Sequence, residues 1–287
     1  MNWDGAAQCT SNAYIRVCRD KGSLNPGNCS PTKHHQRWSA TQARSRARDV
    51  LLGPHASLGE ANSMSEILVA TGVDLSYGNQ PAVLDAHLSV SVGEVVAITG
   101  QSGSGKSSLL YCLAGVLPVK RGQVRFEGRT LGDLDDDEIS TLRRERFGFV
   151  FQYGELLPEL TVEENTALPL RLAGQRKGPA LAAAGKVLER LGLGELRERR
   201  PGQVSGGQSQ RVAVARSLVH RPAIVFADEP TGSLDSANAS AVLKEFLGLA
   251  RSQGTAVILV THDPAVAAQA DTRYTMADGV LSPRGAA

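Results

Sequence analysis

The sequence has no long hydrophobic run. Its most apolar stretches, among them TAVILVT and PAIVFA, have the length of a β-strand, whereas a membrane-spanning helix needs about 18 or more apolar residues. Of the 287 residues, 41% are hydrophobic and 21% are charged, which is ordinary for a globular protein. We therefore expect a chain that does not cross a membrane by itself and that buries a large core, in one main domain with a subdomain.

Cysteine is also scarce, and it is unevenly distributed. Three of the four cysteines, Cys9, Cys18 and Cys29, lie within residues 1–63, and only Cys112 lies in the remainder. The remainder can therefore form no disulfide within itself and suits a reducing cytosol. The N-terminal cysteines include no C-x-x-C pair, so they do not indicate a zinc site. Because leucines flank Cys112, we expect it to be a small core residue.

Residues 1–63 differ from the rest of the chain in charge and pattern. They contain 8 Lys and Arg against 4 Asp and Glu, a net charge of +4, whereas the other residues contain 23 against 25, a net charge of −2. A basic segment on a nearly neutral body does not indicate nucleic-acid binding by that body. Because residues 1–63 also lack a sustained strand or helix pattern, we interpret them as a disordered or mis-assigned extension. The domain then spans 64–283, followed by a tail at 284–287.

A phosphate-binding loop is the first motif with a chemical meaning. The stretch VVAITGQSGSGKSSLLYCLAG reads as an apolar strand, a glycine-rich turn and a helix, and the turn matches G-x-x-x-x-G-K-[ST]. Glycines let backbone N–H groups point at phosphate oxygens, and the helix N-terminus adds partial positive charge. Lys106 would neutralise the β- and γ-phosphates, and Ser107 would hold Mg²⁺. The candidate nucleotide-binding residues are Gly100, Gln101, Ser102, Gly103, Ser104, Gly105, Lys106, Ser107 and Ser108.

Polar side chains follow three further apolar runs. AIVFA is followed by Asp228 and Glu229, AVILVT by His262, and FGFVF by Gln152. Neighbouring side chains of a strand point in different directions, so Asp228 can face Mg²⁺ while Glu229 polarises a water in line with the γ-phosphate. Open parallel sheets bind ligands at the carboxyl ends of strands. We therefore expect His262 to contact the γ-phosphate and Gln152 to touch Mg²⁺ or the attacking water.

A second glycine-containing motif begins at Val204, in VSGGQSQRVAVARSL. With the motifs above, it makes residues 66–283 resemble the ATP-binding subunit of ABC transporters, because VSGGQ resembles the LSGGQ signature with Val for Leu. The resemblance implies that the signature of one copy contacts the ATP held by another copy. The residues carried over to that role are Ser205, Gly206, Gly207 and Gln208.

The resemblance also implies roles for single residues. Tyr77 would stack on adenine, Gln152 would be the hinge glutamine and Glu229 the catalytic base. Asp235 would reach across a dimer, and His262 would be the switch histidine. The alternative for Tyr77 is an ordinary tyrosine at the end of a strand, and the alternative for His262 is a hydrogen-bonded polar side chain of the core.

The implied fold class is α/β: a P-loop NTPase core with a mostly parallel sheet, an antiparallel β subdomain and a helical signature subdomain. We expect the antiparallel β region at about 66–98 and 123–128, and the helical subdomain at about 153–218. The exposed face of that helical subdomain would meet a membrane partner.

The stretch GELLPELTVEENTALPLRLAG resembles the lipoprotein-release and macrolide-export branch, which includes a cell-division relative. The resemblance implies an ATP- and Mg²⁺-dependent ATPase at the cytoplasmic face of the cell membrane, paired with a second ATP-binding subunit and a separate integral membrane permease. The complete motif set permits a homodimer. The resemblance implies no nucleic-acid partner.

Two alternatives belong to other functional classes. A soluble ABC ATPase of translation or DNA repair would carry two cassettes, or a long coiled coil between loop and signature, and this chain shows neither pattern. A regulatory ATPase of the cell-division type, which signals to a membrane partner without transport, has the same motifs and stays open.

We predict that Met64 is the natural start of the protein. The stretch SEILVATGVDLSYG that follows it has strand-like alternation, whereas the preceding residues have none. Mass spectrometry of the native N-terminus should find peptides that begin at or directly after Met64. Abundant native peptides from residues 1–63 would contradict this hypothesis.

Overall fold

The computed structural model describes residues 66–283 except 233 and 235. Chain contacts divide the protein into two units, residues 1–58 and 59–287, and every described residue lies in the second unit. The expectations for residues 1–63, for Met64 and for the tail at 284–287 fall outside the described residues.

A ten-stranded sheet forms the centre of the fold, with the strand order β5-β4-β1-β2-β10-β9-β3-β8-β7-β6. In chain order the strands are β1 (Glu66–Tyr77), β2 (Gln80–Ser91), β3 (Val95–Thr99), β4 (Arg121–Phe126), β5 (Arg129–Thr130), β6 (Phe147–Val150), β7 (Ile224–Asp228), β8 (Ala256–Thr261), β9 (Thr272–Ala277) and β10 (Val280–Pro283).

Seven α-helices lie within the described residues: α1 (Lys106–Leu113), α2 (Asp136–Arg146), α3 (Val162–Leu172), α4 (Lys177–Arg190), α5 (Gly206–Leu218), α6 (Ser236–Gln253) and α7 (Pro264–Ala267). None of them is both long enough and apolar enough to cross a membrane. Helices α3, α4 and α5 fall in the range in which sequence analysis places a helical subdomain.

One half of the sheet is antiparallel. Strand β1 pairs antiparallel with β2 and with β4, and β4 pairs antiparallel with the short β5. Along β4, Val124 and Phe126 are buried while Gln123 and Arg125 are exposed, the period of two that a sheet with one covered face produces.

The other half is parallel. Strand β3 pairs parallel with β8 and β9, β8 with β7, and β7 with β6. The expected antiparallel region, which ran to residue 98, was therefore too long at its C-terminal end, because β3 belongs to the parallel half. All five residues of β3 are buried, as expected for a strand with both faces covered.

Both faces of the parallel half carry a core. Ile224 and Phe226 of β7 join one hydrophobic cluster with the leucines of α1, whereas Val225 and Ala227 join another with α5 and α6. Cys112 of α1 is buried in the first cluster, as expected. Its burial raises the pKa of the thiol to about 12, so this thiol stays protonated at neutral pH.

Aromatic rings tie the two halves together. Phe126 of β4 meets Phe147 of β6 edge to face at 4.8 Å between ring centroids, and Phe147 meets Phe226 of β7 in the same way at 5.1 Å. Such pairs contribute about 0.5–1.5 kcal/mol each beyond the area they bury. The antiparallel and parallel halves are therefore joined through side chains as well as through the sheet.

Candidate functional site

The carboxyl ends of four neighbouring parallel strands form one edge of the sheet. Because β3, β8, β7 and β6 lie side by side and run in the same direction, the segments that follow them emerge together. Gly100 follows β3, His262 follows β8, Glu229 follows β7, and Gln152 lies two residues after β6. The fold therefore gathers residues that are up to 162 positions apart in the sequence.

Two glycines shape the turn between β3 and α1. Gly100 and Gly105 have φ angles of 152° and 102°, which side-chain-bearing residues rarely adopt. A Cβ on Gly100 would collide with the carbonyl oxygen of Met276, and one on Gly105 with that of Ala82. Helix α1 begins without a side-chain cap, so N–H groups of its first turn stay available to an external acceptor such as a phosphate.

Lys106 turns back over this loop. Its Nζ donates a hydrogen bond of 2.7 Å to the carbonyl oxygen of Gln101, and its side chain is buried. Gln101, Ser102 and Gly103 on the outer side of the loop are exposed. The ammonium group therefore lies at a turn whose outer backbone is open to solvent.

The Asp228 carboxylate joins α1 to the end of β7. Ser107 Oγ donates to one carboxylate oxygen at 3.0 Å, and the Tyr111 hydroxyl donates to the other at 3.1 Å. Burial raises the pKa of Asp228 above its ordinary value, while these two hydrogen bonds act in the opposite direction. Sequence analysis missed Tyr111, although its spacing of four from Ser107 places both on one face of α1.

These oxygen donors fit a magnesium ion. Mg²⁺ in nucleotide sites takes one or two carboxylates with hydroxyls, waters and phosphate oxygens, and the half-buried Asp228 carboxylate beside Ser107 supplies that chemistry. The described residues contain no group of three or more His, Cys, Asp or Glu side chains placed to hold a metal by themselves.

Glu229 points away from Asp228, towards the end of β8. Its Oε1 lies 2.8 Å from His262 Nδ1, and its backbone N–H donates to the Val260 carbonyl at 3.0 Å. Its φ is 47°, a conformation that costs a non-glycine residue about 1 kcal/mol or more. His262 also lines an open cleft with Gly100. The two adjacent carboxylates thus face different partners, as strand alternation predicts.

Gln152 reaches the Glu229 loop where that loop contains Gly232. A Cβ placed on Gly232 would lie 3.2 Å from Gln152 Nε2 and 3.4 Å from Glu229 Cβ. A larger residue at position 232 would crowd these neighbours, so the absent side chain lets the two loops approach each other.

Tyr77 lies beside the start of α1. Its hydroxyl is 3.2 Å from Ser108 Oγ, and 56% of the residue is exposed. Its aromatic ring is therefore both tethered next to the turn and accessible.

The VSGGQ segment forms the N-terminus of α5. Ser205 Oγ accepts a hydrogen bond of 3.3 Å from the Gln208 N–H, and Gln208 Oε1 accepts one of 2.9 Å from the Ser205 N–H. This reciprocal cap fixes the helix start and leaves Ser205 and Gly206 exposed. Within the described part of the chain, no hydrogen bond joins 205–208 to 100–108. Asp235 lies outside the described residues.

We predict that Asp228→Asn raises the melting temperature. Burial raises the pKa of this carboxyl in the folded state, so at neutral pH its ionised form is less favourable there than in the unfolded chain. An amide removes that cost. For a domain of this size we expect a gain of about 2–4 °C per kcal/mol recovered.

The gain should shrink as the pH falls through the raised pKa, because protonation then neutralises the wild-type carboxyl as well. Thermal unfolding followed by circular dichroism measures this from about pH 8 down to about pH 4, close to the ordinary pKa of an aspartate. Asp133→Asn, at an exposed carboxylate, is the matched control and should change little. A melting temperature of Asp228→Asn at or below wild type at pH 8 would show the carboxylate to be stabilising.

Comparisons with known proteins agree with this geometry. Residues 83–232 match the protein family described as ABC transporter. The chain is 44% identical over 224 residues to the lipoprotein-releasing system ATP-binding protein LolD of Alcanivorax borkumensis, across 77% of this chain and 98% of LolD. It is 46% identical over 201 residues to the macrolide export ATP-binding/permease protein MacB of Marinobacter nauticus, across 70% of this chain but only 31% of MacB.

Solved structures extend the likeness to three dimensions. The dimeric structure of MJ0796, a bacterial ABC transporter cassette, matches with a TM-score of 0.70 at 34% identity, over 77% of this chain and all of that one. A second dimeric structure of MJ0796, in a post-hydrolysis state bound to ADP and phosphate, matches with a TM-score of 0.69. The family, the α/β P-loop NTPase fold class and the ATPase activity predicted from the sequence are thereby confirmed. The chain belongs to the ABC transporter family.

Proposed function

We propose that this ABC ATPase is the ATP-hydrolysing subunit of an export or extraction complex whose membrane-spanning part is a separate protein. The observation that carries the proposal is the convergence of the phosphate loop, Asp228, Glu229, His262 and Gln152 at one sheet edge. LolD, which this chain matches over 98% of its length, is by name the ATP-binding protein of a lipoprotein-releasing system.

ATP binding is assigned to the turn between β3 and α1 together with Tyr77. Backbone N–H groups of the turn and the Lys106 ammonium would hold the phosphates. The Tyr77 ring, tethered to Ser108 and exposed, would stack on adenine. The residues proposed to bind the nucleotide are Tyr77, Gly100, Gln101, Ser102, Gly103, Ser104, Gly105, Lys106, Ser107 and Ser108.

Mg²⁺ is assigned to Ser107, Asp228 and Gln152. When bound, the ion would neutralise negative charge on the phosphates. The hydrogen bond from Ser107 to Asp228 already places two of these oxygen donors beside each other. Gln152 reaches the same edge from the neighbouring loop.

Hydrolysis is assigned to Glu229, with His262 at its side. The Glu229 carboxylate would accept a proton from the water that attacks the γ-phosphorus, while the bond to the bridging oxygen breaks and ADP leaves with that electron pair. The short contact between Glu229 and His262 Nδ1 holds the carboxylate in one orientation. His262 would also contact the γ-phosphate.

The VSGGQ helix start is assigned to the ATP of a second copy. Ser205 and Gly206 are exposed at a helix N-terminus, which suits binding of an anion, and the MJ0796 cassette that this chain resembles is dimeric. Two copies would pair head to tail, each ATP lying between one phosphate loop and the partner's Ser205, Gly206, Gly207 and Gln208. Asp235 would take part in the same contact.

The membrane partner is assigned to the surface beside the helical region. Apolar side chains are exposed after Gln152 and at the end of α3: Tyr153 is 75% exposed, Leu157 37% and Leu172 42%. Large exposed apolar side chains such as these are available for a partner protein to cover. A partner docked there would place this chain at the cytoplasmic face of the cell membrane.

Replacing the proposed catalytic base, Glu229, should abolish most ATP hydrolysis while ATP binding is kept. We expect Glu229→Gln to keep ATP binding and to lower the hydrolysis rate by more than about tenfold, which corresponds to about 1.4 kcal/mol of barrier. Size-exclusion chromatography should show a dimer that persists in ATP. Glu145→Gln, at an exposed position on α2, is the isosteric control. A Glu229→Gln rate within tenfold of wild type would refute the role of Glu229 as base.

Blocking the helix start should abolish hydrolysis without loss of ATP affinity. In Ser205→Arg the long side chain obstructs the contact with the partner's ATP, whereas the phosphate loop of the same chain is unchanged. Equilibrium titration of dilute monomer with a fluorescent ATP analogue should give a dissociation constant within about twofold of wild type. A large loss of monomer affinity would mean that Ser205 acts within its own chain.

A further inference from the structure

Gln210 is a buried amide that none of the roles above uses. It lies in the second turn of α5, five positions after Ser205, and is 1% exposed. A buried amide has two N–H donors that require acceptors. Its hydrogen bonds therefore show what this position of the helix is attached to.

Both donors go to loops of the catalytic edge. Gln210 Nε2 donates to the Phe151 carbonyl at 3.2 Å and to the Pro230 carbonyl at 2.6 Å. Phe151 directly precedes Gln152, and Pro230 directly follows Glu229. One side chain thus connects the helix that begins at the VSGGQ motif to the backbone beside both residues.

The segment after Gln152 is also attached to α5 one turn and a half further on. Arg216 donates to the carbonyls of Gly154 and Glu155 at 2.7 and 2.8 Å. A Cβ placed on Gly154 would lie 3.4 Å from Gln210 Oε1, so the backbone also packs closely on the amide. The segment 151–155 is therefore bound to α5 at both of its ends, through the carbonyls of Phe151, Gly154 and Glu155.

The loop that contains Glu229 is attached to the sheet, whereas residues 151–155 are attached to α5. The backbone of that loop is fixed to the sheet through the hydrogen bond from the Glu229 N–H to Val260. The bond from Gln210 to the Pro230 carbonyl consequently joins a loop that is fixed to the sheet directly to α5. Any shift of α5 relative to the sheet must strain or break this bond.

We propose that Gln210 is a positioning residue that couples the location of the VSGGQ helix to the placement of Glu229 and Gln152. The inference deepens the proposed function and rests on it. When the start of α5 contacts the ATP of a second copy, the hydrogen bonds of Gln210 would place the loops that carry Glu229 and Gln152 in their positions for hydrolysis. The carbonyls of Phe151 and Pro230 both face this buried position, and the uncharged amide of a glutamine is long enough to donate a hydrogen bond to each of them.

The test compares Gln210→Met and Gln210→Asn with Ser217→Ala. Methionine keeps the length and removes both donors, whereas asparagine keeps the amide but is one methylene too short to reach both carbonyls. Ser217 is buried on the same helix, and its hydroxyl donates within that helix, to the Val214 carbonyl. Its removal therefore controls for a general disturbance of α5.

We expect both Gln210 variants to lower kcat for ATP hydrolysis by about 10- to 100-fold, the scale that a misplacement of about 1 Å produces. KM and the equilibrium dissociation constant of a fluorescent ATP analogue should stay within about twofold of wild type, because the phosphate loop is untouched. Ser217→Ala should keep kcat near wild type. Asparagine, which preserves a polar buried group, keeps the comparison possible if the methionine variant does not fold.

A kcat within twofold of wild type for a folded Gln210 variant would overturn the proposal while leaving the ATPase function intact. A loss confined to ATP affinity, or an equal loss in Ser217→Ala, would also overturn it, since either would indicate a merely structural role. A wild-type chain that does not hydrolyse ATP would instead overturn the proposed function and this inference together.

Discussion

The hydrogen bond between Ser107 and Asp228 is the contact on which the site depends most. It connects the first turn of α1, and with it the phosphate loop, to the carboxyl end of β7. Without it, the Tyr111 hydroxyl would be the remaining hydrogen bond between this helix and the Asp228 carboxylate. The Tyr111 hydroxyl makes the same connection one turn later, and together the two donors offset part of the cost of burying a carboxylate.

The functional residues around the Ser107–Asp228 hydrogen bond fall into two sets, one attached to the parallel strands and one attached to α5. The phosphate loop, Asp228, Glu229 and His262 are fixed to the parallel strands, whereas the VSGGQ motif and the segment after Gln152 are fixed to α5. ATP hydrolysis coupled to mechanical work requires such a division, because one part must move relative to the other between states. Gln210 bridges the two sets by hydrogen bonds, in addition to the apolar packing of α5 against β7.

Much of the site follows from the sequence because its elements are local. The phosphate loop is a contiguous motif, and short apolar runs place Asp228, Glu229, His262 and Gln152 at strand ends without knowledge of the fold. What sequence analysis missed depends on contacts between distant positions. Tyr111 meets Asp228 across 117 positions, and Gln210 meets Phe151 across 59. The assignment of β3 to the antiparallel region failed for the same reason, since an apolar run does not specify which strands flank it.

The central claim is that each ATP lies between the phosphate loop of one copy and the VSGGQ motif of another. Cross-linking with a short bismaleimide tests it most directly, in chains that begin at Met64 and carry either Ser102→Cys or Ser205→Cys in a Glu229→Gln background. A head-to-tail pair predicts a covalent dimer from the mixture of the two chains in ATP, little from either chain alone, and little from the mixture in ADP. Equal yields in ATP and ADP, or equal yields from the single chains, would contradict the composite site.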